Sequence, residues 1–528
     1  MDTKALRQKI LDLAIRGKLV PQDPNDEPAE VLLERIREQK QQMFKEGKLK
    51  KKDIKNDTII FKGEDNLHYE KFQDGTVKCI EDEIPFEVPE GWAWCKLNDI
   101  YNFIDYRGAT PTKITNGIPL VTAKNVKSGY IDYTIDDYIS EEEFKERQQR
   151  GISKKGDILF TTEAPLGNAA LADMEKFSAG QRLITFQQYG SKDELINYVM
   201  LMFILSDFFQ QQLYVNKTGS TVAGIKAAIL KTLWIPVPPY NEQLRISNTL
   251  KSAINLIDSI SKNKEILSTS ISNTKSKILD LAIRGKIVPQ DPNDEPASVL
   301  LERIRAEKEE LIKQGKIKRD KKESVIFKGD DNSYYEKIGD KIRCIDAEIP
   351  FDLPELWTFA RLKHIGGIVG GGTPKTNISK YWDGNIPWLT PADLSGYDSM
   401  YISTGSRTIT DFGLKSSSAQ MLPANSILYS SRAPIGYTAI ATIPVCTNQG
   451  FKSVVPYDFS MSPYLYYCLR ARTDNIIQRA TGTTFKEISG SEMAETIIPI
   501  PPLNEQSKII EKVTQLQEVI SLIEKSLN

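Results

Sequence analysis

The chain has 528 residues, 40% of them hydrophobic and 26% charged, with 69 Lys and Arg against 70 Asp and Glu for a formal net charge of -1. That length exceeds a single core and implies about three or four units, while no apolar run approaches the roughly 18 residues that span a bilayer, so a membrane-spanning helix is excluded. The near-neutral balance excludes general attraction to a polyanion, and any nucleic-acid contact requires local positive charge or a partner.

The first residues, MDTKALRQKILDLAIRGK, place Leu6, Ile10 and Leu13 at helical spacing and lack the uninterrupted apolar stretch of a signal peptide, which predicts a cytoplasmic location. A turn rich in helix breakers follows, GKLVPQDPNDEP, with Asp26 and Pro28 placed as a cap and first-turn proline for a second helix over Ala29 to Lys45. Its basic tail, KEGKLKKKDIK, reads as a solvated connector. Residues 80 to 240 then carry short β-rich runs, GDILFTT and RLITFQQ, and one apolar helical stretch, ELINYVMLMFILSDFFQQQL, expected to pack in a core. From 244 to 284 a four-three spacing runs through Ile246, Leu250, Ala253, Ile257, Ile260, Lys264, Leu267, Ile271, Thr274, Ile278 and Leu281. It predicts one helix with a coiled-coil seam, about 60 Å long at 1.5 Å per residue.

The chain then repeats itself. KILDLAIRGKLVPQDPNDEPAEVLLERIR at Lys9 returns at Lys277 with only Leu19/Ile287 and Glu30/Ser298 changed. IPFEVPEGW returns as IPFDLPELW, and WIPVPPYNEQ as IIPIPPLNEQ, whereas the middles share only fragments. The second middle, 345 to 502, has its own β-rich runs (NSILYSS, FKSVVPY) and its own core helix in SPYLYYCLRARTDNII. The C-terminus repeats the first half of the seam (Ile509, Val513, Leu516, Ile520, Ile523, Leu527) and the N-terminus the second half, so the two ends read as pieces of one severed helix. Rebuilt and packed antiparallel on the central helix, they close a pseudo-twofold molecule. The fold class is therefore α+β, with two α/β domains joined by a long antiparallel coiled-coil helix pair. The parts are 1–79 (half-helix, hairpin, connector), 80–240 (first variable domain), 241–344 (long helix, second hairpin, connector), 345–502 (second variable domain) and 503–528 (closing half-helix).

This duplicated frame, the split helix, the IPVPPYNEQ and IPIPPLNEQ ends, and the ordered run GGGTPKTNISKYWDGNIPWLT, SSRAPIGY, TNQGFKS and TGTTFKEIS in the second domain resemble the specificity subunits of type I restriction-modification systems. The first domain departs from the pattern, with YRGATPTK for GGGTPKT, SAGQRLI for TNQGFKS, and Glu163 where the second domain has Arg432. The resemblance implies two target-recognition domains reading a bipartite double-stranded DNA target, and a helical frame that docks two methyltransferase subunits and motor-nuclease subunits. It also implies no cofactor in this chain, with S-adenosylmethionine in the methyltransferase and ATP and magnesium in the motor.

The residues offer little catalytic chemistry. VPPY at Val237 resembles the Asn/Asp-Pro-Pro-Tyr motif of adenine methyltransferases, but valine cannot accept a hydrogen bond from a base amine and the second copy reads IPPL. The glycine run GGIVGGGTPKT lacks the Gly-Lys-Ser/Thr of a phosphate loop and is expected to be a flexible DNA-facing loop. Two histidines, His68 and His364, and five cysteines without C-x-x-C spacing (Cys79, Cys95, Cys344, Cys446, Cys468) point to no metal site or disulfide framework, the thiols being expected reduced and mostly buried. No catalytic residue is assigned. DNA contact is expected from loop residues able to read bases or hold phosphates. In the first domain these are Arg107, Thr110, Lys113, Lys124, Asn125, Arg182, Lys217 and Thr221. In the second they are Thr373, Lys375, Thr376, Thr390, Arg432, Asn448, Gln449, Lys452, Thr483 and Lys486. The competing readings are a methyltransferase or nuclease with its own active site, distinguished by methyl transfer from the isolated chain, and a helical protein-protein scaffold, distinguished by a DNA pull-down.

Overall fold

The computed structural model describes residues 2–55, 57–106, 110–134, 137–189, 194–219, 223–319, 323–432, 434–482 and 486–527. The chain divides into two compact units, Met1–Lys264 and Glu265–Asn528.

In the first unit, α1 (Thr3–Ile15) and α2 (Ala29–Lys45) form the helical hairpin. The helix bounds of α2 match the sequence expectation, but the cap does not. Pro28 occupies the cap position with no side-chain hydrogen bond, and Asp26 instead pairs with Arg245 at 2.5 Å. A meander follows in order β1 (Ile59–Lys62), β2 (His68–Lys71) and β3 (Val77–Cys79).

The first head opens with β4 (Ala93–Lys96) and closes with β12 (Trp234–Val237), which pair antiparallel from Ala93↔Val237 to Lys96↔Trp234. Between them lie β5 (Tyr101–Asp105), β6 (Ile118–Val121), β7 (Tyr138–Ile139), α3 (Glu141–Arg147), β8 (Ile158–Thr162), β9 (Leu166–Leu171), β10 (Ser178–Ala179) and β11 (Leu183–Gln188). One sheet runs β5-β11-β8-β9, all antiparallel, and a second runs β10-β6-β7 with β10 parallel to β6. The runs GDILFTT and RLITFQQ supply the two central strands, buried on both faces except for half-buried Gln187 and Gln188 at the end of β11. The single apolar stretch expected after them is two helices, α4 (Asn197–Ile204) and α5 (Asp207–Val215). Ser206 leaves the helical region and its hydroxyl accepts from the Phe209 amide, which starts a new helix there. Val199 to Ile204 are all buried, as core packing requires.

Val237 is buried in β12, and Pro238 and Pro239 lead directly into α6 (Tyr240–Ile283), a helix of 44 residues in which the unit boundary falls. Its seam is buried at Ile246, Leu250 and Ile257 and again at Ile271 and Ile278, but Leu267 between them is 40% exposed. In the first unit Ile246 and Leu250 join the core that holds Leu11, Ala14 and Ile15 of α1.

The second unit repeats the plan. It contains α7 (Ala297–Lys313), a meander of β13 (Ser324–Lys328), β14 (Tyr334–Ile338) and β15 (Lys341–Cys344), and a head framed by β16 (Thr358–Arg361) and β25 (Ile497–Ile500). Within the head come β17 (Gly366–Gly370), β18 (Trp382–Leu389), β19 (Tyr401–Ile402), β20 (Arg407–Ile409), β21 (Ile427–Ser431), β22 (Ile435–Ala441), β23 (Cys446–Thr447) and β24 (Lys452–Pro456), then α8 (Ser462–Ala471) and α9 (Thr473–Arg479). The sheets run β17-β24-β21-β22-β19 and β20-β18-β23, the first head's order with one strand added. Helix α10 (Leu503–Leu527) closes the chain and buries Ile509, Val513 and Ile520 in one core with Ile271, Ile278, Leu279, Ala282 and Ile283.

The near-identical segments repeat their contacts as well as their helices. Gly17 and Gly285 both have left-handed backbone (φ 65° and 66°), and a Cβ at either would lie 3.1 Å from a tryptophan carbon, of Trp92 or Trp357, and closer still to Pro89 or Pro354. Trp92 Nε1 donates to Glu242 at 2.9 Å and Gln22 to the same carboxylate at 3.0 Å; Trp357 and Gln290 donate to Glu505, both at 2.8 Å. Lys40 and Lys308 are buried on the helices of the two hairpins, paired with Asp57 at 2.7 Å and Glu323 at 3.3 Å. All five cysteines are free, yet Cys79 and Cys344 are exposed at equivalent ends of the meanders and only Cys95, Cys446 and Cys468 are buried. Among the described residues no helix is long and apolar enough to cross a membrane.

Candidate nucleic-acid interface

Antiparallel pairing brings several chain segments to one edge of each head. In the first, Thr161↔Leu183 and Asp105↔Ile184 put the end of β5, the β8–β9 turn and the start of β11 side by side, and the parallel pair Ala179↔Val121 adds the ends of β10 and β6. A bridge between Glu163 and Gly224 draws in the loop after α5. The second head assembles the same edge, with the bridge between Arg432 and Glu487 in the equivalent place. Loops at this edge carry most of the residues singled out in the sequence. Arg107, Thr221 and Thr483 lie outside the described residues.

In the first head, Thr110, Lys113, Lys124, Gln181 and Arg182 surround an open cavity of about 200 Å³ whose wall includes Leu120. Lys113 pairs with Asp137 at 2.6 Å and Arg182 with Glu163 at 3.0 Å, the arginine side chain 55% exposed. Exposed pairs of this kind are worth at most about 1 kcal/mol and leave both cations available to a phosphate. Lys124 is exposed with no ion pair among the described residues, and Lys217 lies 5.4 Å from the Tyr214 ring centroid. In the second head Lys375, Thr376, Gln449 and Lys486 are exposed, while Lys452 and Arg432 approach Glu487 at 3.3 and 3.9 Å.

Three expected contacts serve the turns instead. Asn125 is 2% exposed; its Oδ1 accepts from the Thr122 amide and hydroxyl at 2.9 and 2.8 Å, and its Nδ2 donates to the Asp132 carbonyl at 2.8 Å. Thr390 is its counterpart from the other side of the same turn. It donates from Oγ1 to Asp393 at 2.8 Å and from its amide at 2.7 Å, capping the 3-10 turn at Pro391–Leu394. Burial alone would raise the Asp393 carboxyl, but the Ser406 and Thr390 hydrogen bonds outweigh it and hold the group below its ordinary range. Asn448 accepts the Gly450 amide at 2.8 Å. The glycine run is not a flexible loop either. Gly366–Gly370 is strand β17, and a Cβ on Gly371 or Gly372 would collide with backbone at Thr447–Asn448 or Ser418–Ala419.

One residue at this edge escaped the sequence reading. Gln181 donates to the Thr110 hydroxyl, and in the second head the Thr373 hydroxyl donates to Gln449 Oε1. SAGQRLI and TNQGFKS carry glutamine one column apart, and pairing the strands on either side, Ala179↔Val121 and Thr447↔Leu389, removes the offset.

Residues 89–268 and 354–528 match the family model described as the type I restriction modification DNA specificity domain. Both hairpin helices α2 and α7 and both meanders lie outside those segments. The specificity subunit of the type I restriction enzyme EcoAI of Escherichia coli is 28% identical, the alignment covering 97% of this chain and 88% of that protein. The EcoEI specificity subunit of the same species is 30% identical over 69% of this chain and 61% of its own length. The MjaIX specificity subunit of Methanocaldococcus jannaschii is 43% identical over 32% of this chain and 39% of its own length. Among solved structures, a chain from a type I R-M system studied for complex assembly and conformational transition aligns over 84% of this chain and 94% of its own at TM-score 0.53 and 18% identity, a likeness of fold.

Proposed function

Because this chain belongs to the type I restriction modification DNA specificity family, and is therefore a subunit that recognises DNA sequence and carries no catalytic centre of its own, we propose that each head reads one half of a bipartite double-stranded target with the edge described above. The observation that carries this reading is the contrast between that edge and the frame: equivalent loops, built on equivalent strands, present different charged residues in the two heads. Arg182 with Glu163 in the first gives way to Arg432 and Lys452 with Glu487 in the second. Unlike edges on like scaffolds suit unlike half-sites.

The frame has the complementary role. The termini and α6 form one antiparallel coiled-coil frame with pseudo-twofold symmetry, and the near-identical hairpins dock two methyltransferase subunits, joined by motor-nuclease subunits, in the cytoplasm. S-adenosylmethionine is bound by the methyltransferase and ATP with magnesium by the motor. Supporting this are the repeated Trp92–Glu242 and Trp357–Glu505 contacts and the identity of exposed Asn25 and Glu27 with exposed Asn293 and Glu295, since one partner docking twice requires the same surface twice. With a net charge of -1, the isolated chain binds DNA weakly and the partners tighten it.

Exchange of residues 345–502 for the corresponding head of a relative, followed by mapping of methylated sites in cells that also express the methyltransferase, tests the reading. One half of the target changes and the other stays. A folded chimera that loses or alters both halves overturns it.

A further inference from the structure

We propose that Gln181 and Gln449 are specificity-determining residues, each recognising one adenine edge in the half-target of its own head; this rests on the reading that each head reads a half-target.

Three observations converge on these side chains. Both occupy one structural position, two residues after the short strand that pairs parallel (β10 with β6, β23 with β18) and in the link to a central strand of the main sheet. Each is held by the hydroxyl of a threonine that precedes a proline, Thr110 before Pro111 and Thr373 before Pro374. And each stands at the open edge: Gln181 lines the 200 Å³ cavity with Lys113, Lys124 and Arg182, and Gln449 is exposed. The residues around the pair have been replaced between heads, Glu163 by Arg432 and Gly224 by Glu487, yet the threonine–glutamine pair persists.

A glutamine amide offers two donors and two acceptor lone pairs, and the threonine uses one. The remaining oxygen and N–H stand side by side, the pattern that accepts from adenine N6 and donates to N7 in the major groove. Fixing the amide in advance removes rotamer freedom that a free surface glutamine would lose on binding, and the neighbouring lysines supply the phosphate contacts that set register.

The test places Gln181→Glu and Gln449→Glu separately in the full chain, co-expressed with its methyltransferase, and maps methylated sites. Glutamate accepts from cytosine N4 and cannot donate to adenine N7. Each variant is expected to move preference at one base pair from A·T toward C·G by about tenfold or more, the two positions lying in different halves of the target. Gln181→Ala and Gln449→Ala relax the same single positions. An unchanged recognition sequence, two variants altering the same half, or loss of methylation with a lowered unfolding transition in the alanine variants, which marks the pair as a loop latch only, overturns the inference. If exchange of residues 345–502 moves one half while Gln449→Glu does not, only this inference fails; if the exchange moves neither, the two-head reading fails with it.

Discussion

The frame and the loop edges of the two heads have diverged to very different degrees. In the frame, Glu242 takes hydrogen bonds from Trp92 and Gln22 at 2.9 and 3.0 Å, and Glu505 from Trp357 and Gln290 at 2.8 Å each. At the edges, the backbone bridges are equally well preserved, but the residues they carry change charge, Glu163 with Gly224 in one head and Arg432 with Glu487 in the other. A buried donor is held to its acceptor by the cost of leaving either unpaired. An exposed one has water as an alternative partner and is free to change, so divergence is concentrated where burial does not fix the partner.

Cutting the chain after Arg284 breaks this comparison most severely, because it keeps the first head and all of α6 but removes α10, which covers Ile271 and Ile278. The fragment is expected to dimerise through α6, with trimming of α1 if it competes, and to direct methylation to an inverted repeat of one half-site. Sedimentation showing a folded monomer at tens of micromolar, on the scale of weak self-association, or methylation of an asymmetric target, refutes it. Next in size, Glu242→Leu and Glu505→Leu each strand one buried donor, the indole N–H of Trp92 or Trp357, while the exposed Gln22 and Gln290 amides keep the Gly17 and Gly285 carbonyls. Each is expected to lower the stability of its own unit by about 2 kcal/mol, and urea unfolding that shows one cost far above the other contradicts the equivalence of the frames.

A pH experiment sharpens the comparison where the frames differ. Burial alone would raise the Glu336 carboxyl, but hydrogen bonds from Arg361, Ser324 and Arg343 outweigh it and hold the group at about 2. Arg361 grips both oxygens at 2.7 and 2.9 Å, while Glu70, the counterpart of Glu336, takes hydrogen bonds from Lys96 and Thr58 and is lowered too. A carboxyl held below its unfolded value of about 4.3 stabilises fully above that pH and loses its contribution as pH falls toward 2. Glu336→Gln is expected to remove a term on the order of 3 kcal/mol at neutral pH and to flatten the acid limb of the second unit over that window, read by unfolding between pH 5 and 2. An acid limb as steep as before excludes the assignment. Smallest, Lys124→Ala at the edge is expected to reduce the salt slope of DNA binding by the assembled complex by about one without altering the sequence read. Asn125→Ala, one residue on, should lower stability and leave the slope alone.

The division between frame and heads was legible in the sequence because a repeat of near-identical residues must rebuild near-identical contacts, and GDILFTT, RLITFQQ, NSILYSS and FKSVVPY became the central strands. Helix breaks were less legible. The turn at Ser206 depends on one hydroxyl capping Phe209 inside an otherwise continuous apolar run. At the edge, polar loop residues were found, but their roles were not, since Asn125 and Thr390 can as readily close a turn as meet a base. Nor does helical periodicity announce that Lys40 and Lys308 turn inward, because the partners that compensate them, Asp57 and Glu323, stand on segments outside those helices.

The left-handed glycines Gly17 and Gly285 work as sockets. Each receives a proline and a tryptophan, Pro89 with Trp92 or Pro354 with Trp357, from the segment that opens its head, and the receiving surface is the same in both. A head is then a cartridge whose plug fits either port. Two heads installed in the opposite order meet the same hairpin turns, and, on the proposal that each head reads one half of the target, such a chain is expected to write its two words in reversed sequence without a new fold.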